Sequence, residues 1–521
     1  MNSRQYSILP CTAGVLILSL FVSCILDNPS KPVHEDGETI YPQYPDETED
    51  GKNDITIDTL EQNPLDLLVT KVSSSLESIR DLQFTSFVSS RVYTRQQLRD
   101  AWSNAPEEGY EKTDFYTPVL RQLTYLRRSN GVSDYDSAEA DYYGNAVAAF
   151  YVASTDSVYL VVGSAEDTLN LDWLPHDTLQ SINMAHELTH ALQDMHFDAF
   201  SKDTSVYYTT DYYYAQKCLT EGDAKLTEWS YYGKEFTDIV DPISRSVTIL
   251  KHLAEAYLDT MTYRNSSSVD FLVMASLIPY RIGPWYVGRV YESSGWKGVN
   301  ALYAARPTST AEVMDFRNRG DYSFDMAAIR GYIGQASYWI EDRFGPLFLH
   351  ILVRRFGKMN EVARNRLVDS YGWKGDWFSY RAESTDSPGH FVWATAFETA
   401  NDAGVMHSLL DSLLSSRNED LYRPPLLTRI NRTEFLNANV KTYEYTDYSS
   451  HLVLLGSEVW WIENVSRDEE ILQWISANRK SGGAAKTTVF RPRAKNPLHR
   501  WLEKHKHEYP NRSLVGYLGG N

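Results

Sequence analysis

The five residues His186-Glu187-Leu188-Thr189-His190 constrain this chain more than any other feature, because they spell HExxH. On a helix, histidines at i and i+4 lie on one face, one turn apart, so both imidazoles can reach a single zinc ion. The glutamate between them projects about 100° to the side, where it can take a proton from a metal-activated water. Chance also produces this pattern, so the surroundings decide. Asp177 or Thr178 can cap a helix, and 179–197 contains neither Gly nor Pro. On a 3.6-residue wheel Met184, Leu188, Ala191, Leu192 and Met195 share one arc, and His186 and His190 fall roughly opposite. A helix with one face in a core and its histidines toward a cleft is the expectation.

A zinc site needs a third protein ligand and an open position for water. Glu221, in the run 218–224 (CLTEGDA), is the best placed candidate, with Glu228, Asp211 and His252 as rivals. Gly222 and Ala224 would let a second helix approach the first closely, and Asp223 could accept the free N–H of a ligating imidazole. Cys218 could approach the metal, but reads better as a small buried helix residue. The intervening Tyr207, Tyr208, Tyr212, Tyr213 and Tyr214 suggest a loop or short strand.

These residues carry a resemblance. The run 185–194 (AHELTHALQD), followed by His196-Phe197, resembles a family of prokaryotic metallopeptidases with HELxHALQDQHF and, on a later helix, EGDA. Met195 stands where that family usually has Gln, whereas 221–224 keeps EGDA intact. Similarity continues in Pro279-Tyr280, Gly295-Trp296, 307–310, 372–376 and Val392-Trp393, and covers about residues 65–475. At 315–320 this chain reads DFRNRG where the family tends to show His-Pro, so any role of that segment does not carry over. The resemblance implies a lipid-anchored or surface-exposed protein with a gluzincin-like centre: one zinc ion, His186 and His190 from the motif, Glu221 from a later helix, and water. It supplies no substrate. The wider gluzincin group also uses a Tyr or His to stabilise the tetrahedral intermediate, and no spacing here singles one out.

Arg4 precedes an apolar stretch at 13–26, too short to span a bilayer comfortably but suited to a signal peptide. Leu20-Phe21-Val22-Ser23-Cys24 resembles a bacterial lipobox, so residues 1–24 are expected to be a lipoprotein signal and Cys24 the acylated anchor. Residues 25–64 mix Pro29, Pro32, Pro42 and Pro45 with Glu35, Asp36, Glu38, Asp46, Glu47, Glu49 and Asp50, a composition suited to a disordered acidic tether. With Cys11 in the signal and Cys24 acylated, Cys218 is left without an intrachain disulfide partner. A formal net charge of −19 argues against nucleic acid as the main partner. The segment 479–521 is basic, and reads as a disordered tail or as an extension for anionic envelope polymers.

The folded part is expected at 65–478, in one unit or in two lobes of about 65–240 and 241–478. Helical spacing marks 65–82 and 94–102. Strand character marks 84–93, 146–151 and 157–162, the last two paired across a turn near Thr155-Asp156. Between 243 and 414 the pattern reads mainly helical, with loops at Pro279, Gly283-Pro284 and Gly372. Short strands follow at 440–465 and a closing helix at 468–478. The expected class is α+β: a zincin-like domain with a small N-terminal sheet, an HExxH helix and a mainly helical C-terminal part. The leading function is a zinc peptidase of the bacterial envelope, on the outer membrane or the periplasmic face, acting on proteins or peptides with Glu187 as general base. Peptidoglycan cross-bridge cleavage is a narrower variant that the location permits. The alternative is a surface binding or scaffold protein with a structural or vestigial zinc. The presence of Glu187 favours catalysis, since a structural site needs no base.

Overall fold

The computed structural model describes residues 64–103, 147–163, 178–200, 209–236, 278–315, 322, 324, 326–333, 338–349, 372–382, 389–415, 428–433, 435, 438–445, 448–465 and 467–478. Cys24, the acidic spacer, His252 and the basic tail lie outside them. The protein is a mixed α/β structure, with two sheets among the described residues. The first has three strands, β1 (Ser89–Thr94), β2 (Ala149–Val152) and β3 (Ser157–Val162), in the order β1-β3-β2. β2 and β3 are antiparallel across a short 3-10 turn, Ala153–Thr155, and Asp156 (φ 46°) in the left-handed region. β1 pairs β3 in parallel.

Helices α1 (Pro64–Arg80) and α2 (Arg95–Ser103) flank β1, and α3 (Thr178–Phe197) carries the HExxH motif. Nothing in α3 interrupts its ladder, and it stops where Asp198 turns left-handed (φ 51°) with its N–H on the Asp194 carbonyl. Met184, Ala185, Leu188, Ala191 and Leu192 pack with Leu68, Val72 and Leu76 of α1 and with Ala149, Tyr151, Val158 and Leu160 of the sheet. The opposite face is covered as well. Residues 181–193 are all buried, because α4 (Thr210–Phe236) lies along the histidine side where an open cleft was expected.

α4 is the shared helix of the molecule. Tyr231 joins the core of the small sheet, while Tyr214, Ala215, Cys218, Leu219 and Leu226 join a second, larger core. Tyr212, Tyr213 and Tyr214 are therefore helical, not part of a loop or strand. The glycine in the middle of α4 serves a crossing with α5 (Pro279–Leu302), not with α3. A Cβ on Gly222 would lie 2.4 Å from the Gly283 backbone, and one on Gly283 would lie 2.4 Å from the Cys218 carbonyl. Only glycine at both positions allows this backbone contact. Gly283-Pro284, expected in a loop, is thus inside a helix, and Pro279 opens that helix where its missing N–H costs nothing. α5 kinks at Gly295 (φ 59°, ψ −162°), a conformation open essentially to glycine alone.

α6 (Thr310–Asp315) and α7 (Met326–Ile333) lead to the second sheet. It has seven antiparallel strands in the order β4-β5-β6-β10-β9-β8-β7: β4 (Tyr338–Asp342), β5 (Trp373–Ala382), β6 (His390–Phe397), β7 (Thr428–Arg432), β8 (Asn439–Glu444), β9 (Ser449–Leu455) and β10 (Glu458–Glu463). α8 (Ala400–Ser415) packs on one face and α9 (Asp468–Asn478) on the other. The expectation that 243–414 is mainly helical holds for α5 to α8 and fails for β4, β5 and β6. The reason lies in β6: Phe391 and Trp393 enter one core, Val392 and Ala394 the other. A strand buried on both faces shows no polar alternation and reads like a buried helix. The strands at 440–465 and the closing helix fall where expected. No helix among the described residues is long and apolar enough to cross a membrane.

Candidate metal centre

The i, i+4 spacing sets the His186 and His190 rings 4.8 Å apart at 81°, and both histidines are fully buried. Across from them the middle of α4 supplies Glu221, also fully buried. Its Oε2 lies 3.2 Å from His186 Nε2 and 3.4 Å from His190 Nε2. Among the described residues, this is the one cluster of His, Cys, Asp or Glu donors close enough to share a metal ion, with donor atoms within 4.8 Å of one another.

Two observations test whether zinc fits. With bonds of about 2.1 Å, neighbouring ligand atoms of a tetrahedral zinc stand about 3.4 Å apart, the spacing found between Glu221 and each imidazole. Further, His190 Nε2 and Glu221 Oε1 are buried with no hydrogen-bond partner among the described residues, a costly state that a cation would relieve. Two nitrogens and a carboxylate oxygen are also a donor set that zinc takes in catalytic sites. The residues fit.

The electrostatics agree. Burial works against a charged His186, but hydrogen bonds to Glu221 and Glu228 and the charge of Glu187 push its pKa up to about 9. Burial works equally against an ionised Glu221, yet the adjoining His190, the His186 hydrogen bond and Lys217 hold it well below the carboxylate range. In the metal-free protein a proton thus supplies the positive charge these groups call for. Glu187 is fully buried beside them.

Each histidine is gripped on its far nitrogen. His186 Nδ1 donates to Glu228 Oε2 (3.0 Å), and Lys225 Nζ holds both oxygens of that carboxylate at 2.7 Å. His190 Nδ1 donates to Gln193 Oε1 (2.9 Å). Glu228 is therefore a partner of a candidate ligand, not the third ligand. The expected contact of Asp223 with an imidazole is not made: Asp223 Oδ2 accepts from Gln193 Nε2 (3.0 Å) and the Tyr303 hydroxyl (2.8 Å), one residue removed from the centre. Asp211 lies at the start of α4, bonded to Thr310 and Arg343. Cys218 is buried in the larger core, its thiol pKa raised by burial, and stands outside the donor cluster. Tyr280 stacks 6.0 Å from the His186 ring, and Phe200 meets His190 edge-on at 5.8 Å.

Sequence reasoning missed Gln193, Lys225, Arg80 and Tyr303. Gln193 stands three residues after His190, and Lys225 three before Glu228, so helical spacing pointed to both. Arg80 and Tyr303 come from distant segments, and no local spacing could reveal them. No known family model, curated protein or solved structure matches this chain.

Proposed function

We propose that the protein is a zinc-dependent peptidase of the bacterial cell envelope with a zincin-like, gluzincin-type catalytic unit, belonging with the HELTHALQD and EGDA metallopeptidases it resembles, and held to the membrane through Cys24. The observation that carries this reading is the convergence of His186, His190 and Glu221 on one point beside a buried Glu187. An HExxH helix against a small sheet, with the glutamate supplied by a later helix, supports the zincin assignment. Among the described strands of the short sheet β1 and β2 are outermost, where an extended peptide could add as a further strand. A zinc ion bound by the three side chains would polarise a scissile carbonyl and acidify a water molecule. Glu187 would serve as the proton carrier, accepting a proton from the attacking water and delivering it to the leaving amine. Glu228 and Gln193 keep the Nδ1 protons of the two histidines engaged, which leaves each Nε2 to the metal.

One observation favours a second reading, a structural zinc in a surface binding protein: all four central side chains are fully buried. Metal analysis joined to a proteomic cleavage screen separates the two. Stoichiometric zinc with cleavage that disappears in Glu187→Ala supports the peptidase. Full zinc with no cleavage moves the assignment to the binding protein.

A further inference from the structure

We infer that Gln193 fixes the tautomer of His190, and that Asp223, anchored by Arg80 of the first helix, fixes Gln193. The inference deepens the metal-centre reading and rests on it for its purpose, though not for its geometry.

The oxygens that face the Gln193 amide nitrogen can each act in only one sense. Gln193 Nε2 lies 3.0 Å from the Thr220 carbonyl oxygen and 3.0 Å from Asp223 Oδ2. A carbonyl oxygen cannot donate, so this end of the side chain must be the NH2 group, and the amide has one permitted orientation. Its oxygen therefore faces His190 Nδ1 at 2.9 Å. An amide oxygen only accepts, so Nδ1 carries the proton. In the neutral ring Nε2 is then left with its lone pair, on the Glu221 side of the donor cluster.

Asp223 in turn cannot shift. Its Oδ1 meets Arg80 Nη1 at 2.8 Å, and its Oδ2 also takes the Tyr303 hydroxyl. The guanidinium is itself fixed by Thr227 (3.1 Å) and Asn300 (2.7 Å) and lies over the Trp296 ring at 4.5 Å. Arg80, Asp223 and Gln193 are all fully buried, so the line is shielded from bulk solvent. Helices α1, α3, α4 and α5 thus all contribute to the placing of one lone pair. His186 is treated differently: its partner is the Glu228 carboxylate, held by Lys225 three residues away on the same helix. The two histidines are oriented independently, one by a local ion pair and one by a relay that spans the domain.

The test uses the full chain, selectively 15N-labelled on histidine and freed of metal, at a pH well above the ordinary imidazole value of about 6.5. The expected spectrum shows His190 protonated on Nδ1 and bare on Nε2, with the resonance assigned by its loss in His190→Asn. In Gln193→Met, which keeps the side-chain length without hydrogen bonds, that preference collapses to a mixture of tautomers. Zinc affinity, measured by competition with a chromophoric chelator, falls about 10- to 100-fold. An Nε2-protonated His190 in the wild type overturns the inference, and does so even where Gln193→Met fails to fold. Unchanged zinc affinity in a folded Gln193→Met overturns it too. A wild type that shows the Nδ1 tautomer but binds no zinc leaves the relay standing and defeats the metal-centre reading alone.

Discussion

Helix α4 buries four carboxylates, and two of them, Asp211 near its start and Glu221 in its middle, meet opposite fates. Asp211 is held closely: Oδ1 accepts from the Thr310 amide (2.7 Å) and hydroxyl (2.6 Å), and Oδ2, which like Glu221 Oε1 has no hydrogen bond among the described residues, is ion-paired with the Arg343 guanidinium at 3.0 Å. Two neighbouring aspartates are closed in the same way. Asp342 takes the Thr210 amide and hydroxyl and the Arg343 amide, and Asp376 takes the amides of Phe344 and Gly345 and the Trp393 indole. This hub ties α4 and α6 to β4 and β5 with the chain's own groups. Glu221 instead faces two imidazole nitrogens, and its other oxygen reaches the Lys217 ammonium only at 3.7 Å. The difference teaches that a buried charge by itself does not mark a site. A site is marked where the chain leaves acceptors facing one another, since an unsatisfied buried acceptor costs about 1–3 kcal/mol and is kept only for a reason.

The comparison breaks most sharply at Glu187 and the histidines. Glu187→Ala should retain zinc and lower peptide cleavage about 10^2- to 10^4-fold, the usual contribution of a general base. His186→Ala and His190→Ala should abolish tight zinc binding, read by metal analysis of the purified variants. Stoichiometric zinc in the double variant would rule out the site.

The next largest effect belongs to the hub and falls on stability alone. Asp211→Ala leaves Arg343 and the Thr310 groups without their partner, at a cost of about 3–5 kcal/mol in denaturant unfolding. Zinc content of the folded variant should be unchanged. Loss of zinc together with an unaltered unfolding midpoint would mean that the roles of the two carboxylates are reversed.

Zinc itself should act in only one of the two regions. At a free concentration of about 100 times Kd it should stabilise the wild type by about 2.7 kcal/mol, and a chelator should remove that gain. Glu221→Gln should lose most of the thermal shift, while Asp211→Ala keeps it in full.

The smallest effect is the pH dependence of the metal-free protein. The pKa of His186 rises in the folded state from the ordinary 6.5 to about 9. The stability it contributes is complete below about 6.5 and lost as pH rises through 9. Burial likewise raises Asp342 to about 7 and Asp376 to about 6, against the pull of their hydrogen bonds. Their contribution, present below the unfolded value of about 3.9, is lost as pH rises through 6 and 7. Melting temperature should therefore fall in a hub phase between about pH 4 and 7 and in a centre phase between about pH 6.5 and 9. Saturating zinc should suppress only the second, because the metal displaces the proton on His186. A second phase that persists in zinc would detach His186 from the metal.

Much of the centre was legible before any fold was known. HExxH is a local spacing, and so is the helix that bears it, since 179–197 holds no breaker and its apolar residues recur at helical period. Glu221 was reachable as the carboxylate of a later helix, and β3 and the closing helix fall where they were read. Several of the errors share one cause: β6, the buried histidine face of α3 and the interior Gly283-Pro284 are covered on every side, so the sequence shows no polar face from which to read their shape.

By itself, then, the sequence determined which groups could hold a metal and which residue could move a proton, because those depend on residue type and on spacing within one or two turns. Tertiary structure alone decided how these groups are held. Asp223 serves Gln193 and not an imidazole, Glu228 grips His186 where it might have bound the metal, and Gly222 admits α5 and not α3. Each of these outcomes turns on which helix lies alongside another and at what distance. That is fixed by packing between segments far apart in the chain, such as Arg80 against Asp223, and no local pattern encodes it.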